Sequence, residues 1–148
     1  MATFTGASGK TYKIADRPFA GGGEGDIFDI VGDSSQVAKI YKADKRTTER
    51  ERKLSAMVKI KPSVIEQYSW PLDVLYSNGK FAGYIMPKVV GKEKLRNIYV
   101  YDKRKGNPWT LYIAIAKNLS SAVYNVHEIG QVIGDLNPEN ILVDPRTG

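Results

Sequence analysis

The sequence predicts an α+β protein in two parts, and three observations carry that prediction. Short apolar or alternating runs bounded by turn residues fill the first 86 positions. A single amphipathic helix interrupts them. Beyond Met86 the pattern switches to an irregular polar stretch and then to a long helical stripe. Strands come first and helices later, which describes a segregated layout rather than repeated βαβ units.

The strand runs are residues 11–14, 17–21, 26–31, 36–42, 72–77 and 80–86. Residues 32–35 and the pair Asn78-Gly79 supply turn chemistry, the latter more strongly because both residues tolerate positive φ. The interrupting helix has Thr47 or Thr48 as its cap, Glu49 and Glu51 at its positive end, and Leu54, Met57 and Val58 on its apolar face. Residues 87–107 are polar and basic, with a short helix expected near 92–98. Asn107 then caps a long helix over 108–128, with Pro108 at its first position. Tyr112, Ile115, Ala116, Leu119, Ala122, Val123 and Val126 form its stripe, while Ile113 and Ala114 lie off it. A helix apolar on several sides expects several neighbours, so self-association through it is expected. The division falls at 1–86 and 87–148.

Composition narrows the chemistry. The 148 residues are 42% hydrophobic and 26% charged, an ordinary globular balance for one domain's worth of chain. No apolar run reaches the ~18 residues a membrane span needs. The first eleven residues lack the pattern of a signal peptide, so the expected location is cytoplasmic, with no membrane partner. The absence of Cys excludes disulfides and thiolate chemistry, and a lone His127 argues against His-based metal sites and Ser-His-Asp triads. The net charge of +6 is spread over clusters at 42–61 and 88–105 that are mixed with acids and lack a stacking platform. A solvated surface is the expectation there, not a nucleic-acid site.

Three motifs stand out. Asp135 precedes Asn140 by five residues, with Leu136 and Pro138 between and the apolar run Ile141-Leu142-Val143 behind. Ala20-Gly21-Gly22-Gly23-Glu24-Gly25-Asp26-Ile27 links two strands, where residues without side chains let backbone N–H groups approach an anion. Lys39 in Val37-Ala38-Lys39-Ile40-Tyr41 shares a strand face with Val37 and Tyr41, and a lysine beside a glycine loop needs a carboxylate or phosphate. Lys42 lies off that face and reads as solvated. A fourth segment, residues 5–11, ends like a Walker A loop. Its required first glycine falls at Phe4, however, and no strand is expected before it.

In this order, the motifs resemble those of the protein kinases, and most closely the bacterial eukaryotic-like Ser/Thr kinases, including kinase-like proteins with helix-hairpin-helix regions. The Asp135–Asn140 stretch is similar to His-Arg-Asp-Leu-x-x-x-x-Asn, and Lys39 to the lysine of Val-Ala-Ile-Lys. The resemblance implies a kinase-like fold: a five-stranded antiparallel N-lobe with one helix, then a hinge and the start of a truncated helical C-lobe. It implies ATP and Mg²⁺ as cofactors and a protein Ser/Thr hydroxyl as acceptor of the γ-phosphate. Asp135 becomes the catalytic base and Asn140 a Mg²⁺ ligand. Lys39 contacts the phosphates and pairs with Glu51, with Glu49 as alternate. Ala20, Gly22, Gly23, Gly25 and Ile27 form the nucleotide loop, and Met86, Pro87 and Val89 line the adenine pocket.

Departures from the family pattern shape the expectation. The His-Arg before the catalytic Asp is Ile133-Gly134, and the lysine two residues after it is Asn137, which donates a hydrogen bond but brings no charge. The Asp-Phe-Gly segment would follow Gly148. The chain is therefore expected to be an inactive fragment of a longer kinase, or a pseudokinase that binds nucleotide or acts as a scaffold.

Overall fold

The computed structural model describes residues 1–100 and 106–148, so the basic residues at 103–105 lie outside what is described. The chain forms two compact units, Met1–Lys88 and Val89–Gly148.

The first unit contains seven strands: β1 (Ala2–Gly6), β2 (Thr11–Ile14), β3 (Ala20–Gly21), β4 (Gly25–Ile30), β5 (Asp33–Tyr41), β6 (Asp73–Ser77) and β7 (Lys80–Pro87). Helix α1 (Thr48–Lys59) follows β5. A five-stranded antiparallel, kinase-like N-lobe with one helix is the expectation from sequence, and the structure overturns it. Six antiparallel strands close into a barrel in the order β1-β6-β7-β5-β4-β2, with β2 pairing back onto β1 and β3 lying outside on β4. The ring closes where Ile14 faces Ile30. There the Ala15 amide donates to the Asp29 carbonyl at 3.0 Å and the Val31 amide to the Lys13 carbonyl at 2.8 Å.

The physical reason is β1. It pairs with β2 on one side and β6 on the other, and so supplies the wall an open sheet would lack. Its residues Ala2-Thr3-Phe4-Thr5-Gly6 carry a single large apolar side chain, which hides the strand in the sequence. The same strand runs directly into the Walker-like segment, where none was expected.

Alternation along the strands fills the barrel. Tyr12, Ile14, Ile30, Ala38, Leu75 and Ile85 are buried inside, with Phe4, Phe28, Ile40 and Leu72 packed against them. On the outer face, Tyr41, Val74 and Phe81, with Tyr76 and Tyr84, seat α1 through its Leu54 and Val58. The Arg50 amide donates to the hydroxyl of Thr47, which caps α1, at 3.2 Å. At the other end the Trp70 indole N–H donates to the carbonyls of Met57 (3.0 Å) and Ile60 (2.9 Å). Asn78 and Gly79 turn the β6–β7 hairpin with φ of 49° and 75°, as the pair's chemistry predicts.

One barrel end holds a buried carboxylate. Asp73 accepts hydrogen bonds from the Ser8 hydroxyl (2.5 Å), the Ser8 amide (3.2 Å) and the Tyr12 hydroxyl (3.0 Å). Burial, then this carboxylate, pushes the Tyr12 phenol up to about 12.

The second unit holds a two-stranded ladder of β8 (Glu93–Lys94) and β9 (Leu142–Val143), with helices α2 (Leu95–Tyr99) and α3 (Trp109–Glu128). Its core is Ile98, Leu111, Ile115 and Val143. The short helix expected at 92–98 starts later because Glu93 and Lys94 are committed to the ladder. Pro108 takes the cap position itself, one residue before helical geometry begins. The Asn107 side-chain amide donates to the Ile98 carbonyl at 3.3 Å instead of capping α3. Trp109, Ile113 and Tyr124 on α3 are exposed. Among the described residues no helix is long and apolar enough to cross a membrane.

Candidate functional site

Two clusters gather the residues singled out by the sequence, one in each unit. In the first, the turn of the β3–β4 hairpin is closed by Gly22, whose amide donates to the Gly25 carbonyl at 3.0 Å. Ala20 faces Ile27 across the hairpin, and Ile27 in turn faces Lys39 on β5. The glycines of this loop differ in kind. Gly25 is buried, and a Cβ there would stand 2.4 Å from the Ile40 carbonyl oxygen, so the packing of β4 on β5 requires it. At Gly22 and Gly23 a Cβ would meet nothing within 4 Å, and neither has a positive φ. The fold leaves those two positions open, and glycine there keeps the backbone approachable from outside.

Lys39 projects from the outer face of β5. Its backbone is held where β7 crosses closely at Gly83, since a Cβ on Gly83 would lie 2.0 Å from the Lys39 carbonyl oxygen. The Lys39 ammonium lies 3.6 Å from a Glu24 carboxylate oxygen and 5.5 Å from the Tyr41 ring centroid. The other Glu24 oxygen accepts from the Arg50 guanidinium at 2.7 Å. Arg50 is fixed twice more: it donates to the Lys45 carbonyl at 3.1 Å and lies 4.6 Å over the Tyr41 ring.

Glu51 is elsewhere. Its carboxylate accepts from the Tyr76 hydroxyl at 2.9 Å, which raises the Tyr76 phenol after burial has done so. The structure therefore does not bring Glu51 to Lys39, and the carboxylate at the lysine belongs to the glycine hairpin. Sequence reasoning passed over Glu24 and Arg50. The available signal was an acid set among the loop glycines and a base one residue before Glu51.

Met86 is buried opposite Val37, and Pro87 ends β7 opposite Gln36. Val89 belongs to the second unit and is 38% exposed.

The second cluster is the loop after α3. The Asp135 carboxylate accepts from the Asn137 side-chain amide at 2.5 Å on one oxygen and from that of Asn140 at 2.6 Å on the other. Asn140 also donates to the Asp135 carbonyl at 3.2 Å. The Asn137 side-chain oxygen accepts from the amides of Glu139 (2.9 Å) and Asn140 (3.2 Å), which bends the loop into an Asx turn. Asp135 and Asn140 are exposed and Asn137 is half-buried.

Glu139 braces this loop to β8 and α2 by accepting from Arg96 and Lys94, both at 2.9 Å. Those bonds, the Arg96 one foremost, hold its carboxyl below the ordinary range. Asp144 is tied by the Arg146 amide and by Lys92, which together bring its carboxyl to about 2. Among the described residues, no three His, Cys, Asp or Glu side chains gather to hold a metal ion. Asn140 offers its side-chain oxygen, and Asp135 a carboxylate already bonded on both oxygens.

No protein-family model matches the chain. It is 32% identical over 133 residues to Protein kinase YegI of Escherichia coli K12, an alignment covering 86% of this chain and 20% of that protein. The same identity over 133 residues links it to Protein kinase YegI of Escherichia coli O157:H7, covering 21% of that protein. The chain spans about a fifth of the length of these curated relatives. Across most of its own length, it is related in sequence to a protein named as a kinase.

Proposed function

We propose that this chain binds ATP through the β3–β4 hairpin and Lys39, as the nucleotide-binding part of a kinase that passes the γ-phosphate to a protein Ser/Thr hydroxyl. The observation that carries the reading is the placement of Lys39, a partly shielded ammonium against a hairpin tip whose two outer glycines the fold does not require. Relatedness to a protein named as a kinase supports it. In this reading Gly22 and Gly23 offer backbone to the phosphates, and Lys39 neutralises them as a point charge. Ala20, Ile27 and Met86 provide apolar surface for the base, and Pro87 offers it a backbone carbonyl.

In the second unit, Asp135 takes the acceptor hydroxyl's proton, oriented by the amides of Asn137 and Asn140. Magnesium, when bound, would neutralise charge across the phosphate oxygens. The donor set fits an ion that keeps waters and phosphate oxygens, with Asn140 supplying one oxygen.

One observation favours a second reading, that of a nucleotide-binding module without phosphotransfer. Both Asp135 oxygens are bonded to asparagine amides, and Asn137 brings no cation to the loop. A phosphotransfer assay with ATP and Mg²⁺ separates the two readings.

The test of nucleotide binding compares Lys39 on β5 with Lys42 just past its end by calorimetric titration with ATP. Lys39→Ala should weaken binding about tenfold or more, the loss of a charge-assisted contact. Lys42→Ala should leave it within about twofold, as an exposed charge does. Equal effects from the two substitutions would overturn the assignment.

A further inference from the structure

The carboxylate of Glu24 lies between two cations that are better shielded than it is. Side-chain exposure is 24% for Lys39 and 27% for Arg50, against 53% for Glu24. The cations are also the fixed partners. Arg50 is held by the Lys45 carbonyl and stacked over Tyr41, and Tyr41 is itself buried. Glu24, by contrast, stands at the tip of a hairpin that Gly22 and Gly23 leave open. Each carboxylate oxygen takes one cation, at 2.7 and 3.6 Å. A phosphate group presents oxygens in the same way, and a guanidinium fork is well matched to it.

We propose that Lys39 and Arg50 form one two-cation seat for a phosphate group, that Arg50 is a ligand-binding residue, and that Glu24 is the seat's tethered occupant, displaced when the ligand enters. This rests on the nucleotide reading for its ligand and extends it by a residue that neither the sequence motifs nor the relatives assign. Glu24 then sets affinity: while it stays, the seat carries one net positive charge, and when it leaves, two. Binding includes the cost of breaking two partly exposed ion pairs, each a small quantity.

The experiment titrates the intact 148-residue chain with ATP and, separately, with inorganic tripolyphosphate. Glu24→Gln keeps shape and removes the competing charge, and should tighten both ligands about three- to tenfold. Glu66→Gln alters net charge equally on an exposed turn and should change neither. Arg50→Gln should weaken both about tenfold, with Arg50→Lys intermediate because it restores charge without the fork. In the Arg50→Gln background, Glu24→Gln should gain less than about twofold, since one of its two partners is gone.

ATP binding that depends on Lys39 but is unmoved by Glu24→Gln overturns the seat and leaves the nucleotide reading standing. Tripolyphosphate bound as tightly as ATP, with the Glu24 and Arg50 effects intact, supports the seat and removes the adenine contacts. No binding of either anion to the wild type or to Glu24→Gln overturns both. Glu24 is exposed at a hairpin tip, so its variant keeps the inference testable even where Arg50→Gln fails to fold.

Discussion

Replacing Ile14 with alanine tests the closed barrel at the point where it closes. Ile14 is 1% exposed, sits in the interior cluster, and forms the pair with Ile30 that joins β2 to β4. The change removes three carbons, which at about 0.8 kcal/mol each gives about 2.4 kcal/mol of lost transfer energy. A cavity term adds to this, because backbone paired on both sides of β2 limits collapse, giving a total of roughly 3–4 kcal/mol. Val31→Ala is the control, one residue past Ile30 but 49% exposed, and should cost less than about 0.5 kcal/mol. Urea unfolding followed by tryptophan emission reads the first unit through Trp70, which is 6% exposed, whereas Trp109 in the second unit is 75% exposed. A Trp109→Phe background isolates the signal. With a denaturant slope of roughly 2 kcal/mol per molar, the midpoint should fall by about 1.5–2 M. If Ile14→Ala and Val31→Ala unfold within about 0.5 kcal/mol of each other, β2 is not a wall of a closed barrel and the fold argument fails.

Three further outcomes are expected. Gly25→Ala should lower stability by roughly 1–3 kcal/mol in thermal unfolding, because the added carbon meets the β5 backbone, whereas Gly23→Ala should leave the midpoint unchanged. Tyr12 holds its proton more tightly folded than unfolded, with a phenol at about 12 against an ordinary 10.0. Its contribution is full below pH 10 and lost as pH rises through 12, so alkaline unfolding should be steeper for the wild type than for Tyr12→Phe. Light scattering after size exclusion should give a mass above 16.4 kDa at high concentration. Trp109→Ser with Ile113→Ser should return it toward that value, because both side chains lie exposed on α3.

Much of the local structure was legible because it rests on local chemistry. The Asn78-Gly79 turn, the Thr47 cap and the alternation along β5 follow from neighbours in sequence. The topology was not legible, since it depends on β1, a strand of mostly small and polar residues stabilised by its two partners rather than by its own pattern. The site divides in the same way. Lys39 and the glycine hairpin are found together because β4 and β5 are adjacent in sequence and pair in register. The acid that meets Lys39 could not be read from helical position. Glu24 reaches it from the hairpin, while Glu51 turns to Tyr76, a residue 25 positions away. Side-chain pairing across elements is a tertiary fact with no periodic signature.

The ring of strands also has a seam. Neighbouring walls such as β4–β5 and β5–β7 share five or more facing pairs, but β2 and β4 meet in register only at Ile14 and Ile30. A closed sheet opens most cheaply along its thinnest join, so exchange of the Ala15 and Val31 amides with deuterium should precede that of β5 and β7. Once parted, the seam would bare the edges of β2 and β4, which the intact ring hides from other chains. Short Ile14–Ile30 contact thus guards against intermolecular strand addition as well as completing the core. The glycine hairpin continues directly into β4, one of the two strands that meet at this seam.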